Sequence, residues 1–365
     1  MKIPFLLLCF ISFFAANAQF TGSTPWENCY GKNASCKYVG CSDIKINTSS
    51  SSAIVAIVKK KYGFDQPLSK QYAYYLNDLS PISFHSLSKE DHSYFSDKKY
   101  LGFKLFSIGE INMVLKAPYL RESFQKNGKK VSTVILETLP NTIVLAISSI
   151  FIAMFLGMSL GVISAMYKDS WIDKLIQLIS TFGMSVPSFF SAILFAWFFG
   201  FLLHNYTGLN MTGSLYEVDD FGNGTFIQWK NLILPAVVLG IRPLAVVSQL
   251  MRNSLLEVLS TDYIRTAKAK GLSEFSIIRK HALKNAMNPV ITSISGWFAS
   301  MLAGAVFVEY IFGWNGLGKE IVNALNTLDL PVIMGSVLII ATLFVMINIF
   351  VDIIYTWLDP KVKLK

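Results

Sequence analysis

Charge is scarce in this chain. Asp, Glu, Lys and Arg make up 15% of its 365 residues, against 53% hydrophobic residues, and mean hydropathy is +0.46. That balance excludes an ordinary soluble protein and indicates a polytopic membrane protein. Cysteine and histidine are also few, four of each. Cys29, Cys36 and Cys41 are spaced by six and four intervening residues, which matches no common zinc pattern. In an oxidising compartment they allow one local disulfide and one spare thiol, while Cys9 lies in an apolar stretch. No metal site is expected.

Five stretches are long and apolar enough to cross a hydrocarbon core of roughly 30 Å: Thr138–Met166, Ile176–Leu203, Leu232–Leu250, Pro289–Val308 and Val332–Leu358. The first two carry no charge, the third contains Arg242 and the fifth Asp352. Basic residues set the orientation. Lys168 and Lys174, the seven between Arg252 and Lys284, and Lys361, Lys363 and Lys365 lie in one set of connections; the other set holds Lys230 and Lys319. The bias of 12 to 2 makes the first set cytoplasmic. The net charge of +9 is then topology, and no nucleic-acid partner is needed.

The N-terminus reads in two ways. Met1-Lys2, the apolar run Ile3–Phe14 and Ala15-Ala-Asn-Ala18 fit a secretory signal cleaved after Ala18. They also fit a short first transmembrane helix, so residues 1–20 are a helix or a signal-like anchor. Either reading places 21–130 outside the cytoplasm. Within that segment, 47–52 form a polar linker, and 62–79 and 119–127 are expected as amphipathic surface helices.

Ser149, Ala153, Gly157, Gly161 and Ala165 recur at every fourth position, as do Gly296, Ser300 and Gly304. Small residues on one face let helices approach closely in lipid, within a bundle or toward a second similar subunit. Gly157-Met-Ser-Leu-Gly161 also spells a nucleophile elbow. An intramembrane serine hydrolase would need a base near Ser159, but His204 ends the next span on the opposite side. Gly313-Trp-Asn-Gly-Leu-Gly318-Lys319-Glu320 is one residue short of a phosphate-binding loop and has Glu where Ser or Thr should hold magnesium. It is expected as a tight glycine-rich turn.

Arg242, mid-span and beside Pro243, is a candidate for a kinked, water-lined translocation path. Asp352 is expected to be a structural polar contact that reaches the interface or pairs with Arg252.

The most informative stretch is Thr261–Lys284. Asp262 is a good helix N-cap and Gly271 a good stop. Ser273 caps a second helix, and Asn288-Pro289 reads as N-cap and first turn of the next span. A short basic helix between two spans suits docking of a cytoplasmic partner. A patch attracted to anionic lipid is the plainer reading.

Asn253 to Glu274, with Arg265-Thr266-Ala267 and Gly271, followed by Arg279 to Val290, resembles the cytoplasmic loop of ABC importer permeases of the dipeptide/oligopeptide type. Tyr62–Leu68 with Gln71-Tyr72, Leu139–Thr142, Val308–Gly318, Asp352–Tyr355 and Asp359-Pro360 are similar to other parts of that family. Ile3-Pro4 with Leu6–Phe14 resembles the middle of its first helix, with a clipped start, and this favours an anchored helix. Residues 20–61 and 81–117 are unlike most relatives, and Gln249 stands where many have arginine.

The resemblance implies an all-α integral membrane protein: a six-helix type I ABC importer transmembrane domain with an enlarged extracytoplasmic N-terminal segment. Its permease core would span 131–360, with a coupling loop at 252–288. It implies a non-enzyme in the bacterial cytoplasmic (inner) membrane, carrying di- or oligopeptides. The partners would be a homologous permease, two ATPases that bind the ATP, an extracytoplasmic substrate-binding protein and the lipid bilayer, and this chain would hold no cofactor. Asp262, Tyr263, Arg265, Thr266, Ala267, Lys268, Ala269, Lys270, Gly271 and Leu272 would couple to the ATPase. Thr266, Ala267 and Ala269 would allow close seating there. An ion-coupled secondary transporter is the competing class, and it would require midplane acids.

Overall fold

The computed structural model describes residues 59, 63–88, 93–96, 99–126, 128–218 and 224–358. The expectations for residues 1–58, including the N-terminal helix or signal and all four cysteines, lie outside the described residues. So do Tyr62, Asp359-Pro360 and the side chain of Asp352. The chain divides into two units, Met1–Gln71 and Tyr72–Lys365. In the first, the described residues form a turn in which Gly63 adopts φ +72° and Phe64 N donates to Lys59 O at 2.8 Å. Helix α1, Leu68–Leu79, begins after Pro67, so the helix expected over 62–79 starts later.

In the second unit α1 is followed by a sheet, which corrects the all-α expectation. Strands β1 (Ile82–Ser86), β2 (Gly102–Ile108) and β3 (Ile111–Lys116) pair antiparallel in the order β1-β3-β2. Ser83, His85, Asn112, Val114 and Lys116 alternate onto the buried face, while Ile82, Phe84 and Phe103 are exposed. The polar side of this sheet is its inside. Asp78 accepts from Tyr100 Oη at 2.8 Å and from Arg121 Nε at 3.0 Å. Lys116 Nζ donates to the Asp78 carbonyl at 2.6 Å. Burial pushes the Lys116 ammonium down to about 8 and the Tyr100 hydroxyl up. It also lowers His85, whose ring nitrogens meet Ser83 Oγ at 2.9 Å and Ser93 O at 2.8 Å.

Residues 119–126 do not form the helix expected over 119–127. Asp329 draws the amide of Phe124 at 3.1 Å, and Ser123 Oγ draws that of Lys126 at 2.8 Å. With those donors engaged by side chains, a helical ladder does not form there.

Three described helices are long and apolar enough to cross a membrane: α2 (Val131–Met166), α6 (Lys230–Leu259) and the first part of α13 (Leu330–Leu358). They match the first, third and fifth expected spans. The second divides into α3 (Trp171–Ser185) and α4 (Ser188–Phe195), which continues as a wide π turn, Ala196–Leu202; the two parts bend by 109°. Pro187 lacks an amide hydrogen and drives Val186 to an extended φ −79°, ψ 130°. After the short α5 (His204–Thr207) comes a small hairpin, β4 (Tyr216–Val218) with β5 (Thr225–Ile227). The kink expected near Arg242 does not interrupt α6, which runs unbroken through Pro235 and Pro243. The fourth expected span divides at Ala305.

The stripe from Ser149 to Ala165 is buried along α2 and packs on α6. A Cβ on Gly161 would lie 2.6 Å from Ser248 O and from Met251 Cβ. Glycine is required there by the close approach, as small residues at membrane-helix contacts generally are. The opposite flanks are greasy: Phe151, Phe155 and Leu156 on α2, and Met346, Ile349 and Phe350 on α13, are exposed, as lipid-facing surface should be.

Candidate functional site

Beyond α6 the chain turns at Ser260-Thr261 into α7, Asp262–Ala269. Thr261, in extended conformation, takes the N-cap position expected of Asp262; its hydroxyl bonds back to Val258 O at 2.6 Å. Asp262 instead sits in the first turn, where its negative charge suits the helix dipole. The stop is as read. Gly271 adopts φ +78°, its amide donates to Lys268 O at 2.9 Å, and that of Leu272 to Ala267 O at 3.4 Å. These two bonds define a Schellman closure.

Ile264 and Ala267, one turn apart, are the buried residues of α7. They join Val247, Met251 and Leu255 of α6 in one apolar cluster with Ile277, Ile278, Ala282, Ala286 and Val290. Those partners lie on α8 (Glu274–Ile277), a π turn (Ile278–Ala282), α9 (Leu283–Ala286) and α10 (Asn288–Gly304). Ala267 thus forms part of the seat beneath α7, which corrects its placement on the docking side. Arg265, Thr266, Lys268, Ala269 and Lys270 remain exposed. Tyr263 accepts a hydrogen bond from Asn285 Nδ2 at 2.8 Å, tying α7 to α9. Leu272 and Phe275 add exposed apolar surface beside the cations. Met287 takes the cap position in αR conformation, so α10 begins at Asn288, the residue expected as its cap, and the boundary lies one position earlier than expected.

A second fastening holds α3 to α6. Asp173 is 1% exposed and accepts from Arg252 Nε at 2.8 Å and Arg252 Nη2 at 2.7 Å. Ser164 Oγ at 2.5 Å, Gln177 Nε2 at 2.8 Å and the Asp169 amide at 3.0 Å also donate to it. Arg252 is therefore paired with Asp173; a pairing with Arg252 was one of the two alternatives expected for Asp352, whose side chain lies outside the described residues. Sequence reasoning missed Asp173, although its place three residues after the cap Ser170 was a visible signal.

The glycine-rich segment is a lock. Between α11 (Val306–Phe312) and α12 (Leu317–Asn326), Gly313 adopts φ +69° and Trp314 is fully buried. Trp314 Nε1 donates to Asn141 O at 3.0 Å, and Asn141 Nδ2 to Asn315 O at 2.7 Å. The amides of Gly318 and Lys319, which a phosphate would need, both donate to Glu309 Oε2, at 2.7 and 3.2 Å. The chain's own carboxylate fills the cradle. Ser159 gives its hydroxyl to Phe155 O at 2.7 Å, and His204 Nδ1 faces Leu209 O at 2.7 Å. Neither is arranged for hydrolysis.

Arg242 is exposed on α6, with no hydrogen bond or ion pair to a described residue. Val246, Gln249 and Asn253 follow it at helical spacing and are half-buried or exposed, on a helix otherwise mostly covered. On the adjoining α10, Asn288, Thr292, Gly296 and Ser300 are likewise exposed. Two neighbouring helices therefore leave polar or small faces uncovered while the outer flanks are apolar. In a bilayer such faces belong to a water-lined path or a partner. The ladder Gly296–Ser300 meets nothing at Gly296 within 4 Å among the described residues.

This architecture is that of a multi-pass membrane protein. The profile of binding-protein-dependent transport system inner membrane components matches residues 157–364, and the chain belongs to that family. It is similar to a dipeptide transport system permease protein, DppB, of Alkalihalophilus pseudofirmus, with 38% identity over 251 residues, covering 65% of this chain and 75% of the relative. A DppB of Haemophilus influenzae is 39% identical over 236 residues, covering 61% and 71%. In fold it resembles a chain of the inward-facing MetNI methionine ABC transporter, with TM-score 0.51 at 15% identity, covering 62% of this chain and 97% of that one. The chain is thus the permease subunit of an ABC importer, and neither a hydrolase nor an ion-coupled carrier is favoured.

Proposed function

We propose that this permease forms half of a peptide-conducting path in a bacterial inner membrane and takes its driving force through α7. Partner ATPases would bind and hydrolyse the ATP, a homologous permease would supply the other half, and an extracytoplasmic binding protein would deliver di- or oligopeptides. The peptide assignment is supported by the names of the relatives. Coupling rests on one observation: α7 is clamped from beneath through Ile264 and Ala267 and pinned by Tyr263, while its cations face outward. A push on that outer face moves a seat made of α6, α8, α9 and α10 together. Asp262, Arg265, Thr266, Lys268, Ala269 and Lys270 are the contacting residues in this reading, and Gly271 and Leu272 hold the end of the helix.

The test uses the assembled importer. Thr266→Trp adds bulk on the exposed side, and Ala267→Leu lifts α7 from its seat. Both are expected to cut peptide-stimulated ATP hydrolysis about tenfold, a loss of roughly 1.4 kcal/mol in coupling. Unchanged stimulation in both variants would overturn the proposal.

A further inference from the structure

Arg242 stands roughly 18 Å along α6 from Lys230 and roughly 15 Å from Arg252, at 1.5 Å per residue. Between those two it is the one charged residue of α6, and the sequence of α10 has none. A charge at that depth is costly in lipid, yet this one is exposed and has no acid partner among the described residues. It shares a helix face with Gln249 and Asn253, and the neighbouring α10 leaves Thr292 and Ser300 uncovered.

We propose that Arg242 is a carboxylate-recognising residue of the path, engaging the C-terminal carboxylate of a passing peptide. The proposal rests on the peptide-permease reading above. A planar guanidinium offers two parallel donors matched to a carboxylate, and keeps its charge at every physiological pH. Gln249, about 10 Å further along the same face, supplies a neutral donor and acceptor for the peptide backbone. A lone fixed cation also repels a peptide's ammonium end, so the two termini of one substrate are distinguished in transit.

The experiment uses the complete importer in liposomes and compares trialanine with trialanine amide. The binding protein is the same throughout, so a change caused by the substitution belongs to the permease. Arg242→Gln is expected to lower trialanine uptake about tenfold, the equivalent of about 1.4 kcal/mol, and to leave amide uptake within about twofold. Arg242→Lys, which keeps the charge, should retain most trialanine uptake and shows that the site tolerates substitution. Equal losses for acid and amide, as an ion pair with the partner permease would give, overturn the proposal, and so does no loss for either. If the unmodified importer hydrolyses ATP but moves neither compound, the peptide reading itself fails.

Discussion

Arg252 of α6 and Asp173 of α3, 79 positions apart in sequence, form a two-bond ion pair at 2.7 and 2.8 Å. The carboxylate is almost completely buried and the guanidinium is largely so. Removing one partner leaves the other charged and enclosed. Arg252→Met or Asp173→Asn should therefore each cost about 3–5 kcal/mol of stability, read as a lower unfolding temperature of the purified chain in detergent. The double substitution should cost less than the two single ones combined. Additive losses would show that the pair is not coupled.

The glycines of the two small-residue stripes should behave differently. Gly161→Ala drives a Cβ to 2.6 Å from a backbone oxygen of α6, and overpacking of this kind costs about 1–3 kcal/mol. Gly296→Ala meets nothing within 4 Å among the described residues and should raise thermal stability slightly, by about 0.5–1 kcal/mol, because alanine loses less backbone freedom in a helix interior. Parallel melting curves decide this.

Gly271 has room for a side chain but a left-handed backbone. Replacement by Val should cost about 1–2 kcal/mol locally and raise amide exchange over 262–272. Gly271→Asn, which tolerates that conformation, should preserve most of the protection.

The sheet at 82–116 should weaken in acid. His85 has a lowered pKa in the fold, so below about 6.5, its ordinary value, the unfolded chain binds the proton first. The stability present above that pH is lost as pH falls. Lys116 acts in another window. Its pKa of about 8 lies below the ordinary 10.5, so between those values stability rises with pH. The protection factors of β1 and β3, which correct for the slower intrinsic exchange in acid, should therefore be lower at pH 5 than at pH 7.5, and His85→Gln should flatten the difference.

Much of the membrane core was legible because its causes are local. A run of apolar residues reports a span, and a four-residue repeat of small side chains reports a contact face. Asp262 and Gly271 bracket α7 to within one residue, since caps act through neighbouring amides. Pro187 was also readable as a break, but the hydropathy of Ile176–Leu203 masked it. The sheet was missed for a similar reason: alternation in Ile82–Ser86 and Ile111–Lys116 is a weak signal inside a chain of membrane composition.

The sequence by itself determined where the apolar helices lie, which residues let two of them touch, and that a short basic helix is held between spans. Only the tertiary structure decided that Ala267 faces inward, that Arg252 belongs to Asp173, and that Glu309 occupies the amides of α12. It also decided that Arg242 and Gln249 share an uncovered face of a crowded helix. Periodicity is a property of neighbours along the chain. Partnership between distant charges depends on how helices pack, and that is settled when burial leaves each polar group one place to bond.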